Sequence, residues 1–334
     1  MLEPTTPEEA VELYLKDRKG DLAHSTHNRH RERLKRFLEW CDETGFDDMN
    51  DITGKKLLEY KQWRKADGLA NVTLKNQLWT LRVFLQFCES IDAAPKRINE
   101  KMRMPDIDVG EDTRDVLVTS KEAERILEYC EKFEYATPRH VTFYLLWHTG
   151  IRSGTARALD LSDYHSAEQY LEILHKPEQG TPLKNKERGE RQITLKPELC
   201  EVIDDYIDMH HPMAEDEHGR VPLLGTTHGR PHKTTLQFRV YTLTRPCHYT
   251  NECPHDRDLL ECEAGNRDGA SKCPSSVSPH AVRRGSITHH RKAEIPKDVA
   301  SERMNVSTEV LDKHYDRRTK EEQREARQKY LDGL

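Results

Sequence analysis

The chain has 334 residues, with 35% apolar and 34% charged side chains and 53 Lys and Arg against 59 Asp and Glu, a formal net charge of −6. That length predicts about two domains, because single cores stop growing near ~250 residues. The longest nearly unbroken apolar stretch, 141–147, is far short of the ~20 residues that span a bilayer, and the opening residues lack the basic and apolar regions of an export signal. A membrane protein, a secreted protein and a disordered tail are thus unexpected. The reading is a cytoplasmic chain whose eight Cys are reduced thiols or metal ligands.

Thr5, Thr6, Pro7 and Glu8 predict a helix start, with a capping hydroxyl, Pro in the first turn and an acid behind it. A second helix opens at Ser25 and Thr26, carries Leu34, Phe37, Leu38 and Cys41 at helical spacing, and stops at Gly45. Thr53 caps a third, and Val72, Leu74, Leu78, Leu81, Leu85 and Cys88 mark a fourth. Residues 1–92 therefore read as a small all-helical domain, and 93–115, with Pro95, Pro105, Gly110 and no apolar period, as an extended linker.

Residues 116–334 read as a second, mixed domain. Ser120 with Glu124 caps a helix, and Pro138 starts another that ends at Gly150. Short β-rich runs at 170–174 and 191–195 flank a turn-rich segment and predict a β-hairpin. Helices follow at 199–210, 234–244, 280–292 and 310–330. The fold class is mainly α with a small β-hairpin, an α+β arrangement.

Net acidity argues against nucleic-acid binding unless positive charge is gathered locally. It is gathered at residues 16–36, where Asn28, Arg29, Arg31, Arg33 and Lys35 lie on one predicted helix, and around Lys75 and Arg82. Arg283 and Arg284 lie in a stretch without acids.

Three fragments carry the chemistry: Thr149-Gly150-Ile151-Arg152 followed by Ala158-Leu159-Asp160-Leu161-Ser162-Asp163; His280-Ala281-Val282-Arg283; and His314-Tyr315. With the basic hairpin between the first two, this ordered series resembles the Arg, Lys, His-x-x-Arg, Tyr set of the tyrosine recombinases, the phage-integrase family. The helical first domain resembles that family's core-binding (SAM-like) domain. The resemblance implies a C-shaped clamp on duplex DNA and a site-specific recombinase that cleaves and rejoins strands through a 3′-phosphotyrosyl link. By analogy Arg152 and Arg283 fork the scissile phosphate, Tyr315 attacks it, and His280 manages the tyrosine proton. A hairpin lysine protonates the departing 5′-oxygen. Counting five back from Arg191 gives Lys186, while the position beside the first strand gives Lys184, which is preferred.

The resemblance also implies a specific double-stranded DNA site as partner and a homotetramer assembled on DNA from monomers in solution. It implies no membrane and no cofactor for catalysis. Two positions depart from it: Thr155 stands where an acid is common, and Val306 stands where His or Trp of a Gly-His dipeptide is expected, with Arg303 or Asn305 as substitutes. These departures favour a second reading, a catalytically silent DNA-binding accessory or regulatory protein of the same fold. Residues 310–316 resemble recombinases of halophilic archaea.

Cys247, Cys253, Cys262 and Cys273 cluster in an insertion, residues 246–274, with little apolar content. A tetrahedral structural zinc is the expectation there, with His248 or His255 able to replace one thiol. Cys41, Cys88, Cys130 and Cys200 fall at helical core positions and read as small hydrophobes.

Overall fold

A computed structural model describes residues 2–107, 116–266, 268–293, 295–314, 324 and 328. The chain divides into two compact units, Met1–Arg114 and Asp115–Leu334.

In the first unit, α1 (Pro7–Asp17) starts where the Thr6 hydroxyl accepts the Glu9 N–H at 3.2 Å. Helix α2 (His24–Thr44) ends on Gly45 in the left-handed region, φ +64. Thr53 caps α3 (Gly54–Ala66), and α4 (Asn71–Ser90) completes the set. The apolar stripes of the four helices meet in an aromatic core, with Phe37 edge-on to Tyr60 at 5.6 Å and Tyr14 edge-on to Phe84 at 5.6 Å. The start of the expected linker is not extended. Ala93, Ala94, Ile98 and Met102 are buried in this same core around a 3-10 turn, Ile98–Lys101. Four apolar residues scattered among charges have no period to read, so only contact with α3 and α4 reveals them.

The second unit opens with α5 (Ser120–Phe133), capped by Thr119 with Glu122 in a reciprocal capping box, one residue earlier than expected. Helix α6 (Pro138–Thr149) is buried all round, which accounts for its unbroken apolar run; α5, α8 (Pro197–Met209), α9 (Lys233–Leu243) and α11 (Pro279–Lys292) pack against it. Between α6 and α8 lie α7 (Ser153–Ala158) and an antiparallel sheet of order β1 (Tyr164–His165), β2 (Tyr170–Ile173), β3 (Arg191–Thr194). Leu171 pairs with Ile193 and Ile173 with Arg191, so the expected hairpin gains a third, two-residue strand. After α9 come α10 (Pro246–Thr250) and the Cys-rich insertion, and after α11 come α12 (Lys297–Met304) and α13 (Thr308–His314). Helix α12 was not expected, and most of the helix expected at 310–330 lies outside the described residues.

Gly285 allows α11 to lie against α6, because a Cβ there would collide with Val118 O and the Trp147 ring. Asp160 and Asp163, which follow α7, hold Lys176 of the hairpin connection at 2.9 and 2.8 Å. Asp160 also pairs with Arg220 and Arg230, and Asp216 takes the second side of both arginines. Removing one partner from such a buried network strands the rest. Asp160→Ala is expected to cost about 3–5 kcal/mol in denaturant unfolding, whereas a surface pair would cost under about 1 kcal/mol.

Burial pushes three histidines down, His140 and His290 to about 4 and His148 to about 3, with Arg303 adding to the shift of His148 and His290. His148 Nε2 faces both the Arg303 guanidinium at 3.1 Å and the Lys196 N–H at 3.3 Å, which requires an unprotonated nitrogen. The unfolded chain takes up these protons near pH ~6.5 and the folded chain does not, so their contribution is complete above that pH and declines as pH falls toward ~4. The decline is expected to approach ~1.4 kcal/mol per pH unit for each histidine. The depressed carboxylates Glu134 and Asp216, both lowered to about 2, act in a separate window below the ordinary carboxylate range. Thermal midpoints that stay level between pH ~7 and ~5 would remove the histidines from this account.

Candidate active site and nucleic-acid interface

Gly150 ends α6 in the left-handed region, φ +62, with Met304 packed 3.0 Å from where a side chain would begin. The reversal delivers Arg152 to the N-cap of α7. Arg283 comes from α11 and is only 2% exposed. Its Nη1 donates to Gly150 O and, at 2.8 Å, to Met304 O, and its Nη2 lies 3.5 Å from Asn305 O. Arg152 Nη1 donates to that same Asn305 carbonyl at 3.1 Å. Two guanidinium groups distant in sequence are thus brought to one short segment after α12.

His280 lies one turn before Arg283, with its ring at the surface. Partial desolvation, then the charges of Arg284, Arg283, Arg152 and Lys184, lower its pKa. Lys184 is near enough for its charge to add to that shift. Lys186 opens the next turn, Lys186–Gly189, with φ +52. The third hairpin lysine, Lys176, is committed to Asp160 and Asp163.

The segment after α12 explains the departure at Val306. Asn305 has φ +49, the conformation that suits the glycine of the expected Gly-His dipeptide. Val306 then occupies the histidine's place and is buried with Ile287, Ala300, Met304 and Leu311. Of the two substitutes, Arg303 turns toward Thr194 O at 2.8 Å and His148. Asn305 stays at the cluster: its Oδ1 accepts from Asn185 Nδ2 at 2.6 Å, and its Nδ2 lies 3.4 Å from Arg188 O. Asn305 thus latches the hairpin connection beside Lys184. Thr155, where an acid is common, is buried in α7.

Sequence reasoning used Arg191 only as a counting mark, yet it is a half-buried member of the cluster. Its Nε donates to Arg303 O at 2.8 Å and its Nη1 to Gly189 O at 2.7 Å. Desolvation, then Arg152 and Arg303, push it down to about 10. An arginine at the head of a strand otherwise reads as an exposed rung, so nothing in the sequence marked it.

In the first unit Arg29, Arg31 and Lys35 are exposed on α2, while Asn28 is half-buried and accepts from Arg31. Arg33 is half-buried and engaged within the unit. Its Nη1 donates to Asn76 O at 3.1 Å and Thr80 Oγ1 at 3.0 Å, so it ties α2 to α4, and only burial of α4 against α2 decides this. Lys75 and Arg82 lie on α4 with Trp79, which sequence reasoning did not single out. Trp79 is 55% exposed and carries the Arg82 guanidinium 5.8 Å from its ring centre. Tyr315 lies outside the described residues. Among the described residues, no three His, Cys, Asp or Glu side chains already converge as a metal site, the insertion's thiols included.

Residues 12–90 match the family model of the phage integrase N-terminal SAM-like domain, and residues 117–322 match that of the phage integrase family. No curated protein matches the chain in sequence. Among solved structures, the Tn1549 transposon integrase in complex with a circular intermediate DNA is 17% identical, covering 97% of this chain and 99% of its own, with a TM-score of 0.71. A lambda integrase dimer bound to a COC′ core site is 14% identical, covering 95% of this chain and 79% of its own, with a TM-score of 0.65. The N-terminal domain of a phage integrase/site-specific recombinase from Haloarcula marismortui is 33% identical over 31% of this chain and 99% of its own, with a TM-score of 0.30. With a fold shared along nearly its whole length and a family model matched over most of it, the chain belongs to the phage integrase family, the tyrosine recombinases.

Proposed function

We propose that this chain is a site-specific DNA recombinase that cleaves and rejoins duplex DNA with Tyr315 as nucleophile. The observation that carries the reading is the meeting of Arg152 and Arg283 on the segment Met304 and Asn305, with Lys184 and His280 within electrostatic reach. Such a cluster neutralises the charge that builds on a phosphate under attack, and guanidinium forks hold it at any working pH.

In this reading the Tyr315 oxygen bonds to phosphorus as the bond to the 5′-oxygen breaks. The phenolic proton passes to His280, whose depressed pKa keeps it neutral and able to accept one. Lys184 gives a proton to the leaving 5′-oxygen, and the strand stays linked as a 3′-phosphotyrosine. Asn305 and Arg191 hold the hairpin connection and the segment after α12 in place. The exposed cations of α2 and the half-buried Lys75 and Arg82 of α4 supply phosphate contacts on a double-stranded site. One related structure is a lambda integrase tetramer bound to a Holliday junction, which supports assembly of monomers into a tetramer on DNA for this chain as well. The reaction takes place in the cytoplasm, where the substrate DNA lies.

Thr155 and Val306 favour the second reading, a silent DNA-binding accessory protein of the same fold. A nicked suicide duplex separates the two. Wild type is expected to give a covalent, protease-sensitive protein–DNA adduct and Tyr315→Phe none. Absence of an adduct with both proteins binding the duplex equally would select the accessory protein.

Salt dependence of DNA binding tests the first unit. Lys75→Ala and Arg82→Ala are each expected to lower the slope of log K against log salt by about 1 with little loss of stability. Arg33→Ala is expected to leave the slope unchanged and to lower the thermal midpoint, because its bonds are to α4. A slope reduced by Arg33→Ala would return that residue to the DNA surface.

A further inference from the structure

The connection from β2 to β3 is held in two different ways along its length. Its first part, through Leu183, rests on the folded body. Lys176 joins the Asp160 and Asp163 carboxylates at 2.9 and 2.8 Å, Arg220 donates to Gln179 O at 2.6 Å and to Thr181 Oγ1 at 3.1 Å, and the Leu183 side chain is buried. From Lys184 to Arg188 every residue is exposed, so no core contact fixes this part. Ordering such a stretch costs conformational entropy that specific bonds must offset. Asn305 supplies two. Its Oδ1 accepts from Asn185 Nδ2 at 2.6 Å and its Nδ2 lies 3.4 Å from Arg188 O, so one amide meets the stretch near both ends. Gly189 leaves room for this approach, because a Cβ there would lie 3.1 Å from Asn305 Nδ2 and 3.2 Å from Leu183 Cδ1.

The main chain of Asn305 belongs to the arginines. Its carbonyl accepts from Arg152 Nη1 at 3.1 Å and lies 3.5 Å from Arg283 Nη2. The residue that meets both guanidinium groups with its backbone thus holds the hairpin stretch with its side chain. Lys184 stands between the buried Leu183 and the bonded Asn185, so its backbone is pinned on both sides.

We infer that Asn305 is a positioning residue: through its bond to Asn185 it sets Lys184 against the phosphate that Arg152 and Arg283 hold. This role rests on the recombinase reading, in which the Lys184 ammonium gives its proton to the departing 5′-oxygen as the Tyr315 oxygen bonds to phosphorus and the Tyr315 proton passes to His280. A proton donor must sit within hydrogen-bond reach of the leaving oxygen, and misplacement by ~1 Å costs up to ~10²-fold. The latch acts on the leaving group, while the holding of the phosphate falls to the arginines.

A nicked suicide duplex with sulfur in place of the bridging 5′-oxygen tests this on the full chain. A thiolate, with a pKa of ~8.5, departs without a proton, whereas an alkoxide needs one. Asn305→Gly suits the left-handed backbone at φ +49 and removes only the side chain, and Asn185→Ala changes an exposed residue. Each is expected to form the covalent adduct about ten- to a hundredfold more slowly than wild type on the oxygen duplex, and at close to the wild-type rate on the sulfur duplex. The double variant is expected to be no slower than either single one, because all three lose the same bond. Lys184→Ala is expected to show the same rescue by sulfur after a larger loss on oxygen, about 10²–10⁴-fold. Latch variants equally slow on both duplexes would overturn the inference, since the bond would then support the fold alone. Latch variants as fast as wild type on oxygen, or a Lys184→Ala protein that sulfur does not rescue, would overturn it as well. No adduct from wild type on either duplex would instead overturn the recombinase reading, and the role of Asn305 with it.

Discussion

The buried guanidinium of Arg283 ties three otherwise independent segments together. It comes from α11, reaches the carbonyl that ends α6 and the carbonyl that ends α12, and leaves little room between them. Gly150 and Gly285 make this possible, one by its left-handed turn beneath Met304 and the other by letting α11 approach α6. A charge so deeply placed is costly unless its N–H groups are met, and the carbonyls meet them without neutralising it. The positive charge is therefore retained where the segment after α12 passes. Arg152, arriving through the Gly150 turn, adds a second cation on the same carbonyl row.

Charge is sorted, not merely balanced. The protein is acidic overall, yet several acids of the second unit are occupied: Asp160, Asp163 and Asp216 with Lys176, Arg220 and Arg230, and Glu134 with Arg139 and His248. The charges felt by His280 and Arg191 are those of other cations. Mutual repulsion and desolvation at that place favour an anion, and the proposed function would supply one in a DNA phosphate. The ion-pair network also braces the hairpin connection, so Lys176 is structural.

The loop after α12 shows how local backbone geometry and packing share out two adjacent positions. The residue that ends α12 is left-handed, and Asn is among the non-glycine side chains that tolerate it best. Once Asn takes that place its amide latches the hairpin through Asn185, and the next position is given to the core as Val306.

The helices of the first unit, the hairpin, the core thiols and the order of Arg152, His280 and Arg283 were legible in the sequence, because caps, apolar periods and motif spacing are local. Cys41, Cys88, Cys130 and Cys200 are all buried, as their helical register implied. What escaped depends on contacts between distant segments: the burial of Ala93, Ala94, Ile98 and Met102, the diversion of Arg33 into α4, the membership of Arg191 in the cation cluster and the existence of α12. Periodicity cannot say whether an arginine meets solvent or a carbonyl. The sequence by itself determined the elements, the family resemblance and the residue types available for the chemistry. Tertiary structure alone decided which charges are paired and which remain to act, because pairing is a matter of distances between chain segments that no local pattern encodes.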